Sequence, residues 1–383
     1  MGSSRGLAVP ARRDRSRVAY LALLGLSVID AAGYSVIGPV APAVARQTGV
    51  GPAVVGVLVA AFPGGIAIGF ITAGQAIRAH RYGLLLGVSL GLLALGSLGF
   101  VAVDGLPGYV AARFVMGLGS GGLWMGITFS TLERWPGQEY LCMSRIFAAY
   151  SVGGLLGPTI GAIGGIREPF LAYFVLILVG GGLVLALGPS PSRRSFVTDP
   201  SALRLPAFWT ASAGIVFATL ALGIVEGVLP LHFSADLSQT QIGIVLAGAA
   251  IVVAAAAILA ARFAPRIALR SAMPAIVVGI GFAGIVAGPP GWMVGLAIGA
   301  IGIGLANTGS IGVLLAGVPA ERSITAIVVW SQVGIVAYLI GPLVGGVAVE
   351  TSGYGILGVL LAVAAIPVAI LLSRPGVTAT RPA

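Results

Sequence analysis

Three ionisable residues, Asp30, Arg113 and Glu226, lie inside long apolar stretches of the sequence. A charged side chain at the centre of a bilayer costs at least about 2.5–3.5 kcal/mol, so such residues usually face a polar interior and have a function. A buried carboxyl group can bind protons or attract a cation, and a guanidinium can bind an anion. We therefore predict that these three residues take part in proton coupling and in binding a small solute.

Asp30 and Arg113 are expected to pair, because a carboxylate beside a guanidinium lowers the cost of burying either charge. Asp30 would then exchange protons or meet a cationic solute when the pair opens, and a purely structural ion pair is the alternative. Glu226 has no evident basic partner in the sequence. Burial without a partner favours the protonated carboxyl group, which suits a proton carrier. Because Glu226 lies four residues before Pro230, a position at the membrane rim is equally open.

Polar and aromatic side chains on the same apolar segments are candidates for lining a solute site. The first set is Tyr34, Trp124, Met125 and Asn307. Further candidates for an amphipathic pocket are Tyr150, Trp330 and Tyr338. For each aromatic residue considered by itself, a role at the membrane interface or in helix packing is as well supported as a role in lining the pocket.

The composition is typical of a membrane protein. Hydrophobic residues make up 58% of the 383 positions and charged residues only 8%, whereas soluble domains have roughly 25% charged residues. The single cysteine, Cys142, excludes a disulfide framework and a cysteine-based metal cluster. All 21 basic residues are arginine, so the lysine of a P-loop ATPase is absent. We expect no metal and no cofactor, with a proton gradient as the energy source.

Apolar runs of about 20 residues can cross a bilayer as helices. The sequence has twelve such runs, which predict an all-α integral membrane fold with a small solute, protons and the lipid bilayer as partners. The predicted spans are 18–41, 52–77, 83–103, 107–132, 143–165, 169–188, 207–231, 241–262, 272–289, 292–317, 323–348 and 354–373.

Arginine placement predicts the orientation of the spans. With the N-terminus inside, 18 arginines fall on the cytoplasmic side, and only Arg46 and Arg167 fall outside. This agrees with the positive-inside rule and predicts a multi-pass protein of the cell membrane with both termini cytoplasmic. Because the net charge of +10 comes from short clusters between apolar runs, a nucleic acid partner is not expected. A monomer is expected.

The second half of the sequence repeats features of the first at an offset of 183 or 184 residues. Gly157-Pro158 corresponds to Gly341-Pro342, and Gly56 at the entry to the second span is matched by Gly243 at the entry to the eighth at a slightly larger offset of 187. Duplicated six-helix units are typical of secondary transporters. The predicted organisation is a basic segment at 1–17, a six-helix bundle at 18–188, a cytoplasmic linker at 189–206, a second bundle at 207–373 and a cytoplasmic tail at 374–383.

Small residues form one stripe in each of spans five and eleven. Their i, i+4, i+8 spacing puts them on one helix face, where close backbone contact is favoured in lipid. We expect these two helices to pack tightly on partners in the other half near the outer surface and to help form a seal, while generic small-residue packing is the alternative. The stripes and their prolines are Gly153, Gly157, Pro158 and Gly161, and Gly341, Pro342 and Gly345.

Several of these motifs resemble those of the major facilitator superfamily. The run from Arg113 through Gly117 and Gly121 resembles its arginine-and-glycine motif, and the run from Gly153 to Gly161 resembles its antiporter motif. The run from Ile224 to Pro230 resembles span seven of the twelve-span drug–proton branch. The resemblance covers about residues 18–373 and implies two parallel six-helix bundles with a cavity lined by spans one, four, seven and ten.

The loop between spans two and three departs from the family pattern. Gly74, Arg78 and Arg81 are present, but the acidic residue that usually follows the first glycine is missing. This puts the charge latch of that cytoplasmic loop in doubt.

We expect a proton-driven exporter of small amphipathic or cationic organic compounds. The alternative within transport is a symporter or facilitator that imports a sugar-like or organic-acid solute. A sugar site needs more hydrogen-bonding side chains than the cavity spans have, whereas an organic acid could use Arg113. A membrane-embedded enzyme is disfavoured, because two histidines and one cysteine give no catalytic cluster.

Overall fold

The computed structural model describes residues 10–135, 138–188 and 199–373. The predicted basic segment 1–17 and linker 189–206 lie partly outside these residues, and the predicted tail 374–383 lies wholly outside them. Within the described residues the chain forms fourteen α-helices and one short 3-10 helix, Pro200–Arg204. The α-helices are α1 Pro10–Ser35, α2 Ile37–Thr48, α3 Pro52–Arg78, α4 Tyr82–Ala102, α5 Leu106–Arg134, α6 Glu139–Gly161, α7 Arg167–Ala186, α8 Pro206–Gly227, α9 Leu229–Phe233, α10 Gln239–Ala260, α11 Pro265–Ile285, α12 Pro289–Gly317, α13 Ala320–Ser352 and α14 Ile356–Ser373.

These helices account for the twelve predicted spans. The pairs α1–α2 and α8–α9 each form one interrupted span, and every other helix is a span by itself. In the described part of the chain, 11 of the twelve segments are long and apolar enough to cross a membrane by length and composition. The twelfth, α6, has 23 residues and a more polar beginning with Glu139 and Arg145. The predicted all-α fold with two six-helix bundles is confirmed.

Most span boundaries lie within a few residues of the prediction, and the first and ninth spans have the largest differences, with α1 beginning at Pro10 where residue 18 was predicted. The first span was predicted to end at residue 41, but α2 continues it to Thr48. The ninth was predicted to begin at residue 272, but α11 begins at Pro265. In both places the helix extends into a segment that contains arginine, since a helix can continue beyond the apolar stretch that defines a span in the sequence.

The buried apolar residues form two clusters, one for each half of the chain. The first cluster contains residues between Ala19 and Leu187 together with Tyr338. The second contains residues between Ala202 and Leu372. Tyr338 therefore packs into the core of the half to which it does not belong in the sequence.

Glycine in α5 allows that helix to approach α3 at backbone distance. A Cβ atom on Gly121 would lie 2.5 Å from the carbonyl oxygen of Ile66 and 3.0 Å from the Cα atom of Gly69. Gly117 of α5 likewise faces the backbone of Phe62 and Gly65 on α3. The family-like glycines of the fourth span therefore hold α5 against α3, and this contact fixes the start of α5, where Arg113 lies.

We predict that Gly121→Leu destabilises the protein. The added side chain overfills a backbone contact, which costs typically about 1–3 kcal/mol. Thermal unfolding of purified protein in detergent should show a lower Tm for this variant. Gly91→Leu is the matched control, because a Cβ at Gly91 meets nothing within 4 Å. Equal Tm values for the two variants would contradict the packing role of Gly121.

Candidate functional site

Arg113 is held by the end of α1 and not by a carboxylate. Its Nη1 atom donates to the carbonyl oxygen of Gly33 at 2.9 Å and its Nη2 atom donates to that of Tyr34 at 3.0 Å. Its guanidinium carbon lies 4.2 Å from the ring centroid of Phe62, a cation–π contact. The side chain is fully buried.

The predicted pair between Asp30 and Arg113 is wrong. Among the described residues, Arg113 lies within ion-pair distance of no carboxylate. The physical reason is that α1 ends at Ser35, one residue after Tyr34. The carbonyl groups in the last turn of a helix form the negative end of its dipole, which favours a cation.

Asp30 lies one turn before these carbonyl groups and is 1% exposed. Ser120 of α5 lies close to its carboxyl group. Its Oδ1 atom has no hydrogen-bond partner among the described residues. Tyr150 of α6 and Tyr173 of α7 lie in the same buried region, and the Tyr173 hydroxyl donates to the carbonyl oxygen of Ile29, next to Asp30, at 3.1 Å. Asp30 is thus a buried carboxyl group with spare acceptor capacity.

Glu226 is buried on α8, just before the interruption between α8 and α9. The hydroxyl group of Tyr338 donates to its Oε2 atom at 2.5 Å. Pro230 has no amide hydrogen, so the backbone carbonyl of Glu226 loses its usual intrahelical donor. The free carbonyl group at this interruption and the Tyr338 hydroxyl group therefore give Glu226 polar neighbours inside an otherwise apolar helix.

Tyr338 also links the two halves. Its ring centroid lies 4.5 Å from that of Tyr34, and both tyrosines are buried. Tyr34 in turn packs edge-on against Phe62 at 5.9 Å. The aromatic pair therefore joins the α1 end that holds Arg113 to the α8 end that holds Glu226.

A narrow crevice lies beside this cluster, between the halves. Trp124 and Met125, both predicted as site residues, are among its lining residues. The Trp124 ring contacts those of Phe147 at 5.3 Å and Tyr150 at 5.2 Å. The crevice is lined by Phe70, Trp124, Met125, Thr128, Met143 and Phe147 of the first half and by Ile327, Val328 and Ser331 of the second.

The remaining predicted site residues lie outside the cluster. Asn307 is half-buried on α12, and none of the hydrogen bonds described for the central cluster includes it. Arg78 and Arg81 are exposed at the α3–α4 loop, and a Cβ on Gly74 meets nothing within 4 Å. In this loop Nδ1 of His80 lies 3.2 Å from Oε2 of the buried Glu133 on α5. This contact could not be predicted from the sequence, because His80 and Glu133 are 53 positions apart.

The glycine stripes of α6 and α13 pack within their own halves. The two helices themselves do pack on the other half as predicted, α6 on α10 and α13 on α3, and their sealing role stays a prediction. A Cβ on Gly157 would lie 2.6 Å from the Ala32 carbonyl oxygen, and one on Gly345 would lie 3.0 Å from the Ile224 side chain. The reason is that each stripe faces the interrupted helix of its own half. Residues beside the stripes make the contacts between the halves.

Pro158 and Pro342 form these contacts in corresponding places. Gly56 of α3 faces the carbonyl oxygen of Pro342. Correspondingly, a Cβ on Gly243 of α10 would lie 2.7 Å from the carbonyl oxygen of Pro158. Gly56 and Gly243 are the two glycines that correspond in the sequence repeat. The halves are therefore closed against each other at this end, which we term the predicted outer face.

Polar contacts between the halves supplement this closure. The Glu350 Oε2 atom accepts a hydrogen bond of 2.8 Å from the backbone N–H of Ala53 and so caps the beginning of α3. On the other side, the Gln239 Nε2 atom donates to the carbonyl oxygens of Gly161 and Gly165 at 2.9 and 2.8 Å. The Thr240 hydroxyl donates to the carbonyl oxygen of Ala162 at 2.9 Å.

The fold and this site define a polytopic helical transporter with a buried ionisable cluster between two related halves. The Major Facilitator Superfamily model matches residues 23–286. The chain therefore belongs to the major facilitator superfamily, a family of membrane transporters and not of enzymes.

Individual proteins in the comparisons resemble the chain more distantly. The 4-hydroxybenzoate transporter PcaK of Acinetobacter baylyi is 28% identical over 162 residues, which are 42% of this chain and 34% of that transporter. The chain thus matches about a third of that relative's length.

Two crystal structures show the same fold. A bacterial homologue of the human lysosomal transporter Spinster, inward-facing and unoccupied, has a TM-score of 0.70 and 16% identity, with 97% of this chain and 94% of that chain covered. A D-xylose–proton symporter has a TM-score of 0.72 and 14% identity, with 92% of this chain and 97% of that chain covered.

We predict that Gly243→Leu prevents closure of the predicted outer face, because the added side chain would enter the Pro158 and Ala162 backbone. Cysteines at positions 46 and 352, in a Cys142→Ala background, allow the distance between the halves to be measured with spin labels. The distance should increase in Gly243→Leu. Gly248→Leu is the control on the same helix, since a Cβ there meets nothing within 4 Å. An unchanged distance in both variants would exclude this closure.

Proposed function

We propose that the protein is a proton-coupled secondary transporter that exports small amphipathic or cationic organic compounds by alternating access, as in the drug–proton antiporter branch. The observation that supports this most is the presence of one buried carboxyl group in each half, Asp30 and Glu226, with neither paired to an arginine. Glu226 accepts a hydrogen bond from Tyr338, whose ring packs on that of Tyr34, and Asp30 lies one helical turn before Tyr34 on α1. We further propose that the protein resides in the cell membrane with the arginine-rich ends in the cytoplasm.

Asp30 is the proposed contact for a cationic solute. Its Oδ1 atom lacks a hydrogen-bond partner among the described residues, so an approaching ammonium group would satisfy it. With both carboxyl groups ionised and Arg113 protonated, the cluster has one net negative charge. One cation or one proton neutralises that charge, so a cationic solute and a proton compete for the same site.

The lining of the crevice matches the apolar part of such a solute, and its volume of ≈ 20 Å³ requires the halves to separate before a solute enters. Trp124, Met125 and Phe147 present rings and a thioether to it, and flexible methionine side chains adapt to ligands of different shape. Thr128 and Ser331 are the hydroxyl-bearing residues among its described lining. This lining favours an amphipathic compound over a sugar, which needs many hydrogen-bond partners.

Glu226 is the proposed proton carrier in the second half. An ionised Glu226 accepts the hydrogen bond from Tyr338, and protonation weakens that bond because a carboxylate is the stronger acceptor. Tyr338 also packs against Tyr34 of the first half. Proton binding therefore changes the stability of a contact between the halves, and a ligand shifts a conformational equilibrium only through such a difference.

Proton-coupled uptake of an organic acid is the second candidate. The observation that favours it is that Arg113 is fixed by carbonyl groups and has no carboxylate partner among the described residues, so its charge is free to attract an anion. The likeness to a 4-hydroxybenzoate transporter agrees with it. Proton movement distinguishes the two candidates in sealed proteoliposomes, because export exchanges protons for solute whereas symport moves both in the same direction.

We predict that Glu226→Gln and Asp30→Asn each abolish transport driven by an imposed pH gradient. A solute identified by screening cationic and acidic compounds in proteoliposomes would serve as the probe. Gradient-driven transport should fall by about a hundredfold or more, as expected when a proton-transferring group is removed. Glu226→Gln should still exchange labelled for unlabelled solute without a gradient, because it keeps the shape of the site.

Glu168→Gln is the control, since Glu168 is an exposed carboxylate outside the cluster. It should transport as the unmodified protein does. Full gradient-driven activity in both Asp30→Asn and Glu226→Gln would exclude proton coupling by these carboxyl groups. Loss of solute exchange without a gradient in Glu226→Gln would instead make Glu226 part of the solute site.

A further inference from the structure

A basic groove lies at the predicted inner face, away from the central cluster. It has a volume of ≈ 240 Å³ and is formed by residues 16–20 of α1, by Trp135 and Gln138 between α5 and α6, and by the beginning of α6. Two arginines, Arg17 and Arg145, line it, and both are exposed. The described lining residues are Ser16, Arg17, Tyr20, Trp135, Gln138, Leu141, Cys142 and Arg145.

Contacts between neighbouring side chains hold the groove in shape. The Trp135 Nε1 atom donates to the Ser16 hydroxyl oxygen at 3.2 Å, and the Tyr20 and Trp135 rings meet edge to face at 5.2 Å. The Tyr20 hydroxyl donates to the carbonyl oxygen of Cys142 at 3.4 Å, about one turn before Arg145 on α6. The two cations thus flank an aromatic pair with fixed geometry.

The groove opens onto a surface with the character of a lipid contact. On α1, Val18 and Leu21 are 48% and 55% exposed. On α6, Leu141 and Val152 are 46% and 50% exposed, and they lie on the same helix face as Arg145. Charged groups and aromatic rings therefore adjoin apolar side chains, an arrangement that matches the boundary between headgroups and acyl chains.

We propose that this groove binds the phosphate headgroup of an anionic phospholipid. Guanidinium groups pair with phosphate oxygens through charge-assisted hydrogen bonds, and basic pockets between membrane helices on the cytoplasmic side recognise such headgroups. The acyl chains then lie along Val18, Leu21 and Leu141. The bound lipid ties residues 16–20 of α1 to Trp135, between α5 and α6. This site is separate from the proposed transport function and stands without it.

Native mass spectrometry of the full chain in detergent tests the proposal. With phosphatidylglycerol and phosphatidylcholine supplied together, the protein should retain phosphatidylglycerol preferentially. The double variant Arg17→Gln/Arg145→Gln should lose about thirtyfold in affinity for it, since one basic residue near an anionic lipid surface contributes about fivefold. The control Arg78→Gln/Arg81→Gln removes two exposed arginines from the same predicted face and should keep the preference.

Two further measurements distinguish loss of lipid binding from unfolding of the variant, and lipid binding from binding of free phosphate. Arg17→Lys/Arg145→Lys should retain most of the binding, because lysine also binds phosphate as a point charge; this variant covers the case in which the glutamine variant unfolds. Inorganic phosphate in excess should not displace the lipid, because the acyl chains contribute to binding. Equal retention of both lipids, unchanged binding in the glutamine variant, lost binding in the lysine variant, or displacement by phosphate would each overturn the proposal.

Discussion

The structure depends on the burial of three ionisable groups where no bulk water can solvate them. Arg113 is accommodated because α1 ends beside it and offers two backbone carbonyl oxygens as acceptors. Glu226 is accommodated because Tyr338 donates to it where α8 is interrupted. Arg113 and Glu226 thus each lie beside a helix interruption, since an uninterrupted helix uses its own backbone groups internally. The interruptions of the two spans therefore make the burial of these charged groups possible, and the buried charges account for the interruptions.

The contacts between the halves follow from the same repeat that places the charges. Gly56 faces Pro342, and Gly243 faces Pro158, so two corresponding backbone contacts close the predicted outer face. Glu350 and Gln239 add hydrogen bonds across the halves at these contacts. Between this closure and the aromatic crevice lies the Tyr34–Tyr338 pair. The cluster is consequently placed where movement of one half against the other changes its surroundings.

The sequence predicted the number of spans and the burial of Asp30, Arg113 and Glu226, because apolar runs and isolated charges are local signals. It did not predict the partner of Arg113, since backbone carbonyl groups become free acceptors only at a helix end that the sequence pattern does not mark. The glycine stripes were recognised, but their periodicity defines a face and not the helix opposite it. Tyr338 was recognised only as an aromatic residue of a possible pocket, because its contact with Glu226 joins residues 112 positions apart.

Infrared spectroscopy of the carboxyl groups tests most directly whether Asp30 and Glu226 are the proton-binding groups of the transporter. The acidic-minus-alkaline difference spectrum of the purified protein should contain C=O stretching bands of buried protonated carboxyl groups. Asp30→Asn and Glu226→Gln should each remove a separate band, and Tyr338→Phe should shift the Glu226 band because it removes the hydrogen bond to that carboxyl group. A spectrum unchanged in both carboxyl variants would contradict the account.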